Sequence, residues 1–311
     1  MRSVAPLVLA VLATASAARA QDVTVSLSLD RAEAPVGEEI QAEVSVTNPG
    51  DKDLNVAELV FEERSLSFDV TFDAGGKPKP FVFAVLKPDP HVADRLGPSR
   101  ITLKPKKSIT GVFRIPTLRA GAMTVAAVYK GGEKEARSAA INLKVTPAGD
   151  ATRLAAVVET SLGGFQIELQ PEEAPNTVAN FVALAQRGFF DNLNVHRVVK
   201  NGWIQTGCPY DNGTGGPGYA LRSEAETQKT SKHEIGTVSM AGNLKSGFSG
   251  SQFFVCVAKQ ASFDAKFTVI GMVSAAGIEN VKKISAVEVD KASDRPTKDV
   301  KVSSVKIVAV K

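Results

Sequence analysis

From Val23 to Val145 the apolar residues recur at every second position. Val23, Val25, Leu27 and Leu29 alternate with polar neighbours, as do Ile40, Ala42, Val44 and Val46, and again Leu66, Phe68, Val70 and Phe72. Ile109, Phe113 and Ile115 continue the pattern, followed by Met123, Val125, Ala127 and Tyr129, and by Ile141, Leu143 and Val145. Successive side chains of a strand point to opposite faces, so each segment buries one face and wets the other. Turn-forming clusters such as "TNPGDKD" and "DAGGKPKP" separate them. After the small, polar "TPAGDAT" the pattern changes. "AAVVETSLGGFQIELQ" reads as a hairpin turning at Gly163 and Gly164. In "EEAPNTVANFVALAQRGFF", Val178, Phe181, Val182 and Ala185 fall at i, i+3, i+4 and i+7, one apolar stripe of a helix. Pro175 suits its first turn and Gly188 its C-terminal stop. A second, shorter helix is predicted from about Ile278 to Ile284, with Ile278, Val281 and Ile284 on one face. The remaining segments are strands without a βαβ rhythm, which predicts a closed antiparallel barrel capped by two helices.

A chain of 311 residues favours two domains, and this one is expected to be mainly β throughout. About seven short strands with no helical run predict an immunoglobulin-like β-sandwich over residues 21–146. "VGEEIQAEVSVTNPGDKDL" resembles the Ig-like modules of bacterial exported proteins. A linker over 147–152 leads to the second domain, 153–311. Residues 1–20 have the marks of a signal peptide: Arg2, an apolar run from Val4 to about Ala15, and a small-x-small end at Ala18-Arg19-Ala20. That run is too short to span a bilayer and no second one follows, so stable membrane insertion is not expected. The protein is expected to be exported, periplasmic or secreted. The whole chain carries 37 basic and 33 acidic side chains. Losing Arg2 and Arg19 leaves 35 against 33, a net charge of +2. That balance, with no basic run, argues against a nucleic-acid partner. Export would permit a disulfide between Cys208 and Cys256, although two cysteines in a large domain more often stay unpaired.

The chemistry concentrates in "VHRVVKNGWIQTGC", Val195 to Cys208. Strand alternation puts His196 on one side and Arg197 on the other. Lys200-Asn201-Gly202 forms a turn, and the resulting hairpin brings Arg197, Trp203 and Gln205 onto one surface. Composition alone would make these an exposed arginine, a half-buried tryptophan and a solvated glutamine. No metal-ligand set or nucleophile accompanies them. "DNGTGGPGY" lacks the following lysine and helix start of a phosphate loop. "GFSGS" ends in Ser251 where a nucleophile elbow needs glycine. His196 reads as a structural histidine, His91 and His233 as exposed, Cys256 as buried and inert, and Cys208 as exposed.

Several segments then follow one another in order: "SLGGFQIELQPEEAPNTVANFVALAQRGFFDNLNVHRVV", "WIQTGCPYDNGTGGPGY", "GTVSMAGN", "GSQFFVCVA", "FTVIGMV" and "DRPTKDVKVSSVKI". From about Ala155 to Val308 the chain resembles the cyclophilins, a peptidyl-prolyl cis-trans isomerase family, in their bacterial form with a Gly-Pro-Gly-Tyr turn. The resemblance implies an eight-stranded barrel with a surface groove for an X-Pro dipeptide, and no cofactor or metal. It places Arg197 on the family's catalytic arginine and Gln205 on its groove glutamine. It puts Trp203 at a position usually apolar, Ala241 and Gly242 along the groove backbone, and Gln252 on its lining. Phe254 becomes the aromatic floor of a proline pocket, with Phe263 and Phe267 on the rim. Three departures stand out: Gly202 where an aromatic is usual, Ser262 where a large apolar residue is usual, and Phe267 in place of a common histidine. Proline-containing or unfolded polypeptides are the implied clients, and a cyclosporin-type compound is a further candidate ligand. Two other readings stay open from the residues: a non-catalytic proline-peptide binder or holdase, and an adhesion module using the first domain.

Overall fold

The computed structural model describes residues 23–57, 59, 66–73, 80–82, 87–88, 100–221, 223–228, 231–243 and 247–311. The signal-peptide segment and His91 lie outside them. The chain divides into two compact units, one of residues 1–85 and 94–147, the other of residues 86–93 and 148–311.

In the first unit, alternation becomes sheet. Glu39–Thr47 pairs antiparallel with Thr24–Leu29 on one side and Ser108–Pro116 on the other. Its Ile40, Ala42, Val44 and Val46 are fully buried, while its other face carries hydroxyl pairs across the ladder, Ser45 with Thr110 and Thr47 with Ser108, each at 2.7 Å. A second sheet is centred on Gly121–Tyr129, flanked by Leu66–Asp73 and Ile141–Thr146. The short Glu33–Pro35 runs parallel along Ile141–Thr146, and Leu54–Ala57 pairs with Arg100–Leu103. Phe68 of one sheet meets Phe113 of the other edge to face at 5.7 Å, so apolar faces of both sheets share a core. Tyr129 crosses that core to donate its hydroxyl to the Ala57 carbonyl at 2.5 Å, and burial pushes its phenol up to about 12.

The second unit is one curled antiparallel sheet. Nine of its strands follow the order Leu193–Asn194, Lys301–Val310, Arg153–Thr160, Phe165–Leu169, Val269–Val273, Thr237–Asn243, Gly247–Cys256, Trp203–Thr206 and Arg197–Val199, while Tyr219–Leu221 pairs off this path with Gly247–Cys256 and with Lys87–Pro88. The two ends of this path are Asn194 and Arg197, only three positions apart in the chain. The sheet must therefore curl until its ends meet, as a barrel does. The bond from Val195 N–H to the Val300 carbonyl extends the Leu193–Asn194 ladder, and that from Val198 N–H to the Asp294 carbonyl brings the other end of the path to the same segment, both at 2.8 Å.

Alternation along Gly247–Cys256 sorts Phe253 from Phe254. Phe253 points inward and meets Phe181 and Phe190 edge to face at 5.4 and 5.6 Å, whereas Phe254 lies on the other face. Phe181 belongs to the helix Pro175–Gln186, which starts on Pro175 and buries Val178, Phe181, Val182 and Ala185 as its stripe predicts. The second helix, Ile278–Ser285, buries Val281 and Ile284. The Gly163 turn has φ +114, the region only glycine enters freely.

The first helix has no capping side chain of its own; Glu224, 48 positions away, supplies one. Its carboxylate accepts from the backbone and side chain of Asn176 at 3.2 and 3.0 Å and from those of Thr177 at 2.8 and 2.6 Å. Negative charge there also meets the positive end of the helix dipole. Burial pushes the Glu224 carboxyl up, against the pull of these four bonds. Glu224→Ala is expected to cost about 2–3 kcal/mol, since it orphans several donors at once. Glu224→Gln should cost less, because an amide still accepts through one oxygen. Urea unfolding of the two variants checks the ranking.

Candidate functional site

Four strands carry one row of residues. Arg197 pairs with Gln205, Gln205 with Phe254, and Phe254 with Ser239. Directly opposed residues of antiparallel strands point to the same face, so the row lies on the side of the sheet away from Phe253. The hairpin that starts it turns as the sequence predicts. Val199 pairs with Trp203, Asn201 takes φ +56, and Gly202 N–H donates to the Val199 carbonyl at 2.9 Å. A Cβ at Gly202 would meet the Val199 side chain at 2.9 Å, so a larger residue here would require Val199 to shift.

Nearly all the predicted groove residues come together. Ala241, Phe254 and Cys256 form a buried apolar cluster against which Trp203, Phe263 and Phe267 pack half-buried. The rings meet at angles. Trp203 to Phe263 is 5.2 Å, Phe254 to Phe263 5.6 Å, Phe254 to Phe267 5.5 Å and Phe263 to Phe267 4.9 Å between centroids. Trp203 lies 6.3 Å from Phe254, so it supplies aromatic bulk beside the position where Gly202 lacks it. The Arg197 guanidinium carbon sits 5.3 Å from the centre of the Trp203 ring, within cation–π reach. Its Nε and Nη2 donate to Asp294 Oδ2 at 3.2 and 3.0 Å. Gln205 Nε2 donates to Gln252 Oε1 at 3.0 Å, and Gln252 in turn donates to the carbonyls of Gly213 and Gly215 at 2.9 and 2.7 Å. That chain of amides orients the Gln205 side chain, whose Nε2 spends one of its two N–H donors on Gln252. Gly242 is exposed at a break in register between Thr237–Asn243 and Gly247–Cys256. Ser262 is exposed beside Phe263 and adds no bulk to the cluster.

Two sequence expectations are corrected. His233 is not exposed but 1% accessible. Its ring stacks on Phe254 at 6.1 Å with 18° between planes, against the apolar cluster. Its Nδ1 is 3.1 Å from Asp264 Oδ1 and its Nε2 3.0 Å from the Ser239 hydroxyl. The residue sits in an irregular segment, and what buries it comes from Asp264 and Phe263, 30 positions further on. Cys208 is likewise buried, its sulfur taking the Gly215 N–H at 3.2 Å as the following loop folds back. It and Cys256 are both free thiols, and burial pushes Cys256 up to about 12. Asp294, Asp264 and Ser239 also escaped the sequence reading, since none falls on a periodic apolar position.

His196 is buried on the opposite face from Arg197. Burial holds both His196 and His233 below the usual imidazole range; Asp211 opposes this for the first and Asp264 for the second. The folded chain therefore takes up these protons at lower pH than the unfolded chain does. Stability is full above about pH 6.5 and is lost as pH falls below it toward the folded values. The thermal midpoint should be flat near pH 7–8 and decline below about 6.5, and His233→Gln should flatten that decline. A midpoint that rises on acidification through this window would contradict the burial of both rings.

With this geometry in view, comparison with known proteins is direct. The family model described as cyclophilin type peptidyl-prolyl cis-trans isomerase matches residues 155–307. A peptidyl-prolyl cis-trans isomerase of Arabidopsis thaliana is 39% identical over 153 residues, 49% of this chain and 92% of its own. One from Helicobacter pylori is 41% identical over 130 residues, 42% of this chain and 78% of its own. A crystal structure of a Cryptosporidium parvum cyclophilin type isomerase covers 50% of this chain and 98% of that one, at 24% identity and a TM-score of 0.47. The chain belongs to the cyclophilin-type peptidyl-prolyl cis-trans isomerases. Its second unit is the isomerase domain.

Proposed function

We propose that the second unit rotates X-Pro bonds of exported proteins by gripping the twisted amide without covalent chemistry. Rotation must break amide resonance against a barrier of about 18–20 kcal/mol, and unaided it takes tens to hundreds of seconds. In the twisted state the proline nitrogen becomes pyramidal and regains a lone pair. A permanently charged guanidinium gains more from that lone pair than from the planar amide, so Arg197 stabilises the transition state selectively. The slot of Phe254, Phe263, Phe267 and Trp203 takes the proline ring. Gln205, with Ala241 and Gly242, holds the flanking chain while the other side of the bond swings. The observation that carries this reading is the union of one guanidinium, one oriented amide and one aromatic cluster along a single row of strands. Export rests on the charged, apolar and small-residue pattern of residues 1–20. The first unit, read as an Ig-like sandwich, serves as a spacer or a second contact for the client.

A cis-trans relaxation assay on a short X-Pro peptide with the full chain tests this. Acceleration that drops about tenfold or more in Arg197→Ala supports it. A wild-type chain that binds the peptide without changing its relaxation rate would make the protein a binder or holdase instead.

A further inference from the structure

Arg197 does not stand alone in its groove: a carboxylate from a distant loop grips one edge of its guanidinium. Asp294 Oδ2 accepts both Nε and Nη2, at 3.2 and 3.0 Å. Among the described residues, Nη1 has no hydrogen-bond partner. The same Asp294 closes the barrel seam through its backbone, its carbonyl accepting Val198 N–H at 2.8 Å from the residue next to Arg197. One residue thus fixes both the strand and the side chain of the arginine.

Asp294 is itself built into place. It takes φ +57, a left-handed conformation that aspartate tolerates better than most residues. Asp290 Oδ1 accepts the N–H of Ala292 and Ser293 at 3.1 and 2.9 Å and the Ser293 hydroxyl at 2.8 Å. Asp294 N–H donates to the Asp290 carbonyl at 2.9 Å, and Asp290 N–H to the Arg295 carbonyl at 2.8 Å. Arg295 then anchors the loop outward, donating to the Asp211 carbonyl at 2.8 Å and pairing with its carboxylate. On its other side the Arg197 guanidinium meets the face of Trp203. An arginine side chain free in solvent samples many rotamers; held between a ring and a carboxylate, it keeps few.

We propose that Asp294 is a positioning residue for the isomerase reaction: it latches Nε and Nη2 so that Nη1 is the edge presented to the proline nitrogen. This rests on the reading of Arg197 given above. The ion pair is half-exposed, 43% and 36%, so it adds little to global stability. Its effect should appear in turnover, where displacement by about 1 Å can cost up to a hundredfold.

The experiment compares wild type, Asp294→Asn, Asp294→Gly and Arg197→Ala in the same cis-trans assay, with unfolding midpoints measured alongside. Asparagine and glycine both accept the left-handed backbone, so the turn survives in each. Asparagine keeps one acceptor oxygen but no charge; glycine keeps neither. The latch predicts kcat/KM falling in the order Asp, Asn, Gly, with the glycine variant down about tenfold, chiefly in kcat. It also predicts little change in midpoint. Raising salt from about 0.1 M to about 1 M, which shortens the screening length from about 10 to about 3 Å, should lower wild-type kcat/KM and leave Asp294→Gly unmoved. If both Asp294 variants match wild type, or exceed it, while Arg197→Ala falls about tenfold or more, the latch is refuted and the role of Arg197 stands. If kcat/KM and midpoint fall together, Asp294 serves only the seam and the latch is equally refuted. If wild type shows no acceleration, the reading of Arg197 fails first.

Discussion

Arg197→Ala is expected to lower kcat/KM on an X-Pro peptide by about 10- to 150-fold. That range follows from the roughly 1.5–3 kcal/mol carried by a hydrogen bond to a charged group, applied to the barrier. The loss should fall on kcat, because the planar amide of the ground state offers the guanidinium no lone pair at nitrogen. Folding should be nearly unaffected. The pair with Asp294 is half-exposed, and removing such a pair costs within about 1 kcal/mol. Arg197→Lys should recover little. A lysine ammonium is a compact point charge and cannot face Trp203, pair twice with Asp294 and still present a donor. Stopped-flow or exchange NMR on the peptide gives both constants. An alanine variant retaining more than half the wild-type kcat/KM would mean that the apolar slot alone performs the rotation.

What could be read from the sequence was whatever is local and periodic. The helix stripe of Val178, Phe181, Val182 and Ala185 is local, and so is the turn at Lys200-Asn201-Gly202; both appear as predicted. The alternation of Phe253 and Phe254 also assigns each to its face without further help. Long-range packing was not readable. His233 lies between the exposed Lys232 and Glu234, so its neighbours argue for solvent. Only the return of Phe254, Phe263 and Asp264 over it buries it beside the aromatic cluster. Asp294 sits in "VDKASDRPTKD", a stretch that looks like a solvated charged loop. Its importance comes from barrel closure, which brings residues almost a hundred positions apart to one seam. The same holds at Gly207, where φ is +88 and any side chain would strike the Ser251 carbonyl at 2.4 Å. The need for glycine there is set by a strand that arrives some forty residues later. Local pattern therefore predicted the elements and, through the family resemblance, which residues gather around Phe254. The supports behind it required the fold.

Those supports give Phe254 the largest expected effect of any single substitution here. Its ring is 3% accessible and touches Trp203, Phe263, Phe267 and His233. Phe254→Ala removes the central ring of a cluster that cannot collapse easily, because its neighbours hang from separate segments. The expected loss is about 3–5 kcal/mol of stability, a large fraction of the 5–15 kcal/mol typical of a folded chain. Activity should fall with it, which alone would not distinguish a lost pocket from a lost fold. Phe254→Leu separates them. Leucine keeps apolar volume but loses the flat face on which both a proline ring and His233 can lie, so stability should drop by less than half the alanine cost. Meanwhile kcat/KM should still fall about 5- to 50-fold, mostly through KM, since contact with the proline ring acts on ground and transition states alike. Behind the altered floor, water reaches His233 more easily. Its depressed basicity should then relax upward, and the acid decline in stability should become shallower. Measured well below the unfolding midpoint, a leucine variant with wild-type KM and an unchanged acid limb would show that Phe254 is ordinary core and that the proline ring rests elsewhere.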